Sequence, residues 1–308
     1  MTSCLSQGCS VSIERLCRIA GVSRAGYYRF WRGSAPRQHD TMVRDRIHHL
    51  ALANGPHRGY RLITWQLRYQ EGLVVNHKRV LRLMRQDNLL SLRKRAFVPV
   101  TTDSSHRWPV VANLAGEMLL SGLDQLWVAD ITYIRLQQEF AYLAVILDAF
   151  SRKVIGWAMA DHLQASLAIE ALEMAIEARR PKPDSLIHHS DRGTQYACSQ
   201  YSELLAAYRI TASMSRVGSP YDNAKAERFM RTLKTEQVDG TLYRDIAHAR
   251  ADLGGFIDEV YNVQRLHTAL DYRSPVQFEE LHRAALLRRS NKAGSAAPGG
   301  AAFAARSA

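Results

Sequence analysis

An aspartate in the middle of an apolar, β-branched run sets the tightest limit on what this chain can become. Residues Leu126 to Leu136, LWVADITYIRL, have strand composition, with Asp130 at the centre. A carboxylate on a strand built for burial is costly unless a cation or a full set of hydrogen bonds meets it. The segments that follow alternate in character. Glu139 to Ser151 is apolar enough for a central strand. Lys153 to His162 is a third strand, close enough behind to form a hairpin with it. Gln164 to Arg180 is helical and stopped by Pro181, Leu186 to Asp191 is a fourth strand, Ser199 to Tyr208 a helix, and Ile210 to Ser215 a fifth strand.

Two further acids sit where they could join Asp130. Asp191 ends the short apolar run of SLIHHSDRGTQY and precedes an Arg-Gly turn. The stretch from Ser213 to Glu236, SMSRVGSPYDNAKAERFMRTLKTE, begins as a loop and turns helical from about Tyr221. Phe229, Met230 and Leu233 make its apolar stripe, while Glu227, Arg231 and Lys234 stand at i, i+4 and i+7 on another face. Taken alone, that face is a solvated surface laced by a Glu–Arg pair. Taken with Asp130 and Asp191, it is a carboxylate at a helix start with two cations beside it, which suits a metal ion and a phosphate backbone. Two strand-borne aspartates and one helix-borne glutamate are the hard oxygen donors that a Mg²⁺ pair requires.

Asp130, Asp191 and Glu227, with 35 residues between the last two, resemble the DDE triad of retroviral-integrase-like transposases. The words WVADITYI, HHSDRGTQY, SPYDNAKAERFMRTLK and YNVQRLHTALDYRSPVQF, in this order, are similar to the catalytic second-frame (OrfB) product of a large group of bacterial insertion sequences. The resemblance runs from about Ser12 to Leu281. It implies an α/β, ribonuclease-H-like mixed sheet with helices on both faces, preceded by all-α helix-turn-helix-type domains. It also implies catalytic and metal roles for Asp130, Asp191 and Glu227, with two Mg²⁺ (or Mn²⁺) ions per site and double-stranded DNA as substrate. The expected partners are an upstream-frame protein, acting separately or as a fusion, and further copies of the chain on DNA. The rival readings are a nuclease of the same fold that cuts without joining, and a non-catalytic DNA-binding regulator.

Charge supports a nucleic-acid partner. Residues 1 to 110 hold 19 Lys+Arg against 6 Asp+Glu, leaving 22 against 23 in the remainder, so the first third carries the whole basic excess of the +12 chain. Within it, Ser12 to Arg32 has the pattern of helix, Gly21 turn and helix capped by Ser23, with Ile13, Leu16, Cys17 and Ala20 as its apolar face. Arg24 and Arg29 are its candidate DNA contacts. Ser34 to Asp40 has linker composition. A second helical unit follows in His57 to Gly72 and Val75 to Leu90, with Val80, Leu81, Met84 and Leu89 as core and Lys78, Arg79 and Arg82 toward solvent or DNA. Cys4, Cys9, Cys17 and Cys198 lack the histidine spacing of a zinc set. No apolar run approaches the roughly 20 residues of a membrane span and no secretory signal is apparent, so a cytoplasmic protein is expected.

Asp148, before the hairpin turn, is expected to be structural, as are His188 and His189. Asn223 and Lys225 are expected to fix the Glu227 loop or a phosphate, and Lys225 joins Arg231 and Lys234 as a DNA contact. Arg265 and His267 either contact DNA or orient the Glu227 helix. The expected domains are residues 1–33, 40–108, 121–284 and a disordered tail over 286–308.

Overall fold

A computed structural model describes residues 12–31, 38–53, 58–90, 111–116, 118–216 and 222–294. The chain divides into two compact units, Met1–Leu90 and Ser91–Ala308.

In the first unit, α1 (Ile13–Ile19) and α2 (Arg24–Trp31) meet at Gly21, whose φ of +65° a side chain would resist. Ser12 caps α1 by accepting the Arg15 amide, and Ser23 caps α2 by accepting that of Gly26. Of the expected apolar face only Cys17 is buried. The unit's core comes from α3 (Gln38–Ala53), α4 (Tyr60–Tyr69) and α5 (His77–Gln86), through Val43, Ile47, Leu50, Ile63, Leu67, Val80, Leu83 and Met84. Two expectations change here. The linker gives way to α3 from Gln38, and Leu83 rather than Leu81 occupies the α5 core, because Val80, Leu83 and Met84 share the face at i, i+3 and i+4.

The second unit is a five-stranded sheet in the order β3-β2-β1-β4-β5. Its strands are β1 (Leu126–Arg135), β2 (Phe140–Asp148), β3 (Val154–Ala160), β4 (Ile187–Ser190) and β5 (Thr211–Met214). The first three pair antiparallel, while β4 runs parallel to both β1 and β5. Against one face lie α6 (Ala165–Arg179), α7 (Thr194–Ala197) and α8 (Ser199–Ala207). At Gly156 in β3 the approach to α6 is so close that a Cβ would lie 2.2 Å from the Ala171 carbonyl oxygen. On the other face pack α9 (Ala224–Leu233), α10 (Ile246–Gly255) and a π-helical segment, Phe256–Gln264.

The last helix, α11 (Pro275–Gly294), extends past residue 286, where the disordered tail was expected to begin. Residues 91–110, 217–221 and those beyond 294 lie outside the described residues. Among the described residues no helix is long and apolar enough to cross a membrane.

Candidate active site

Strand pairing brings the two aspartates together. Val128 of β1 stands opposite His189 of β4 in parallel register. Asp130 and Asp191 each lie two residues further on, so they emerge side by side on the same face. Asp191 follows the end of β4, where its Oδ1 accepts the Gly193 amide at 2.9 Å and turns the chain into α7. Asp130 is half-buried, and its Oδ1 accepts the Ile131 amide at 2.9 Å.

Glu227 arrives from α9, exposed in its first turn. That helix docks through Ala226, Phe229, Met230 and Leu233, the apolar stripe expected from the sequence. The buried Asn223 fixes its start, donating Nδ2–H to the carbonyl of Ala129 at 2.9 Å, next to Asp130 in the chain. Arg216 makes three hydrogen bonds to Asp222, just before the helix. Beyond α9 the chain widens into a π-helical turn, Lys234–Val238, where Glu236 accepts from Arg265 at 2.6–3.1 Å. Of the two roles open to Arg265, this pairing supports orientation of the helix.

The electrostatics show how crowded the acids are. Burial, then Asp191, and more weakly Glu227, push the Asp130 carboxyl up to about 8, against the lowering pull of Lys234 and the Ile131 amide. Lys234 rests over the Tyr133 ring, its Nζ 4.1 Å from the centroid. Burial lowers its pKa while Asp130 raises it. Thus of the expected cations beside Glu227, Lys234 reaches the acids and Arg231 stands in solvent. Three neighbouring oxygen donors, one of them raised in pKa by burial and by the charge of the other two, suit a divalent cation. Among the described residues no three such groups form a closed ligand cluster.

A cleft beside Asp191 is lined by Tyr133, Tyr142, Gln195 and Tyr196. Tyr196 was not singled out in the sequence. Its buried hydroxyl has no hydrogen-bond partner, and burial followed by Asp191 raises its pKa. The position within DRGTQY was the available signal, but the inward direction of the ring was not legible.

The remaining residues have definite places. Asp148 accepts the amides of Asp124, Phe150 and Ser151, shaping the hairpin turn. Tyr201 hydroxyl and His188 Nε2 lie 3.0 Å apart, and His189 bridges Ser213 and Ser215, so both histidines brace the sheet. In the first unit Arg24, Arg29 and Lys78 are exposed. Arg79 and Arg82 instead pair with Asp40 of α3, which ties at least Arg79 to the unit's own packing.

The integrase core domain family model matches residues 122–220, and a second model of that description matches 208–275. An HTH-like domain model matches 38–97, which places that likeness on α3–α5 rather than on the α1–α2 pair expected to carry it. Transposase InsF of insertion sequence IS3A from Escherichia coli K12 is 36% identical over 273 residues, covering 87% of this chain and 94% of InsF. The IS600 31 kDa protein of Shigella sonnei is 35% identical, covering 86% and 97%. Among solved structures, the HTLV-2 integrase catalytic core domain in complex with magnesium is 19% identical at a TM-score of 0.38, covering 51% of this chain and 96% of that one.

The class so defined is the DDE polynucleotidyl transferases with an integrase core. Within it, the chain belongs to the IS3 family of insertion-sequence transposases and is a DNA transposase.

A direct expectation concerns Asn223. Asn223→Ala removes the bond that sets α9 against β1 and is expected to cost about 1–2 kcal/mol. As Asn223 positions Glu227, kcat should fall more than tenfold while DNA affinity holds. Urea unfolding and single-turnover cleavage check this, and a loss of affinity alone would contradict it.

Proposed function

We propose that Asp130, Asp191 and Glu227 are the catalytic metal ligands, and that they hold two Mg²⁺ or Mn²⁺ ions for cleavage of the element's ends and transfer of the freed 3′ ends into target DNA. The observation that carries this reading is the convergence of carboxylates from β1, the end of β4 and the first turn of α9, which Asn223 ties to β1 beside Asp130. When bound, the ions would activate a water or a 3′-hydroxyl as nucleophile and stabilise the leaving oxygen.

The chain's own residues supply position and charge. β1 and β4 fix the two aspartates, and Asn223 and the Arg265–Glu236 pair hold Glu227 toward them. Lys234, steadied on Tyr133, sits where a phosphate oxygen next to the acids would need a cation. Arg231, one turn from Glu227, leads a DNA strand toward it. Arg24, Arg29 and Lys78 offer further contacts to duplex backbone, with Arg79 and Arg82 contributing what Asp40 leaves free. The protein acts in the cytoplasm as an oligomer joining two element ends, with an upstream-frame product or a fusion to it supplying end recognition.

The test is joining of a pre-cleaved element end to plasmid by the full chain, with and without the upstream-frame product. Mg²⁺ and Mn²⁺ are expected to support joining, and Ca²⁺ binding alone. Cleavage without any joined product would favour a nuclease.

A further inference from the structure

The exposed surface of α9 has a second flank that the acids do not use. At about 100° per residue, Lys225 and Arg228 stand roughly 100–160° round the helix from Glu227, whereas Arg231 and Lys234 stay within about 40° of it. Arg152, from the β2–β3 turn, lies close enough to this second flank to repel both Lys225 and Arg228. Its left-handed φ of +64° follows from the tight turn, in which its amide donates to the Asp148 carbonyl.

The cluster is one-sided in charge. Among the described residues Arg152, Lys225 and Arg228 make no ion pair and no side-chain hydrogen bond. Asp148 acts electrostatically on Arg152 and Lys225, but its carboxyl is fully buried and already accepts three backbone amides. Burial, offset by Tyr261, and the charge of Arg228 lower the Arg152 guanidinium. Beside Arg152 lie the phenol of Tyr261 and the ring of His267, packed edge to face at 4.9 Å. The Nε2 atom of His267 is buried without a partner. Half-buried cations are normally paired within the protein. Here the half-buried Arg152 and Lys225, with the exposed Arg228, converge from two elements near the unpartnered His267 Nε2, so the missing partner is an anion from outside.

We propose that Arg152, Lys225 and Arg228 form a second phosphodiester-binding site, on the flank of α9 turned away from the three carboxylates. It rests on the transposase reading and extends it: one helix serves two backbone tracks. The Arg231–Lys234 flank leads the reacting strand to the acids, and the Arg152 flank holds backbone that is not cut. Both DNA partners of a transposase present the same phosphodiester, so the element end and the target duplex are separate arms of the test.

The experiment uses the full chain and the double variant Lys225→Gln/Arg228→Gln, with Arg228→Glu as a single exposed change in case the first folds poorly. Binding to an element-end duplex and to a random duplex is measured by anisotropy in Ca²⁺ across a salt series. Melting is followed with and without inorganic sulfate. The double variant should lose about one to two units of the log K against log salt slope. Loss on both duplexes supports a shared backbone track, and loss on one assigns the site to that DNA. Without sulfate the variant should melt above the wild type, because self-repulsion is relieved. Sulfate should raise the wild type's Tm by more than the variant's. An unchanged slope on both duplexes, or a wild type that sulfate stabilises no more than the variant, overturns the proposal. Metal-dependent joining by the wild type reports separately on the transposase reading.

Discussion

Asp130→Asn is expected to stabilise the metal-free protein while stopping cleavage and joining. The folded carboxyl, raised by burial, Asp191 and Glu227 from 3.8 to about 8, retains its proton over a range where the unfolded chain has released it. The Asp130 contribution to stability is therefore most favourable below about pH 4, declines as pH rises toward 8, and levels above it. Asparagine carries no such penalty, so its advantage in Tm should be small near pH 4 and largest at pH 8 and above. With the metal-ligand role proposed for Asp130, the substitution should lower the single-turnover rate by about 10³-fold or more. Melting between pH 4 and 9, without metal, checks the first part. A variant that melts below the wild type throughout would show Asp130 to be a packing residue.

Removal of Arg179 is expected to cost more stability than any other single change away from the acids. Glu279 of α11 is 1% exposed and lies against the α6 C-terminus and the hairpin turn. Arg179 donates to both of its oxygens, and Ser151 donates a hydroxyl at 2.7 Å. Burial alone would raise the Glu279 pKa, but the hydrogen bonds and charge of Arg179 outweigh it and hold it low. Stability from this carboxylate is therefore present above the ordinary glutamate range and lost as pH falls through its lowered value. Arg179→Met leaves the charge buried with weaker partners, Lys153 at 3.8 Å and Arg283 at 3.2 Å, at an expected cost of about 3 kcal/mol. Adding Glu279→Met should recover most of that loss. Urea unfolding of the two variants decides it, and additive losses would contradict the account.

Much of the catalytic unit was legible because its signals are local and periodic. Asp130 within an apolar strand, Pro181 ending α6, and Phe229, Met230 and Leu233 on one face each specify an element without knowledge of its neighbours. The order of elements, matched to the resembled family, then placed Asp191 beside Asp130. What escaped depends on contacts distant in the chain. Lys234 stacks on Tyr133 from another element, and Asn223 reaches a β1 carbonyl. Arg152 gains its setting only from α9. Helix α3 was missed for a different reason: the polar start through Asp40 hid Val43, Ile47 and Leu50, whose i, i+4, i+7 spacing was the signal to follow.

The central claim, that three acids from β1, the end of β4 and α9 make one metal centre, is tested most directly by Mn²⁺ binding. Titrations of the full chain on a pre-cleaved element end would compare the wild type with Asp130→Asn, Asp191→Asn and Glu227→Gln. The wild-type affinity should rise with pH to about 8 and then flatten, because the metal displaces the proton that burial, Asp191 and Glu227 keep on Asp130. Each variant should bind at least tenfold more weakly, and Asp130→Asn should also lose the pH dependence. Wild-type affinity in all three variants would contradict the assignment.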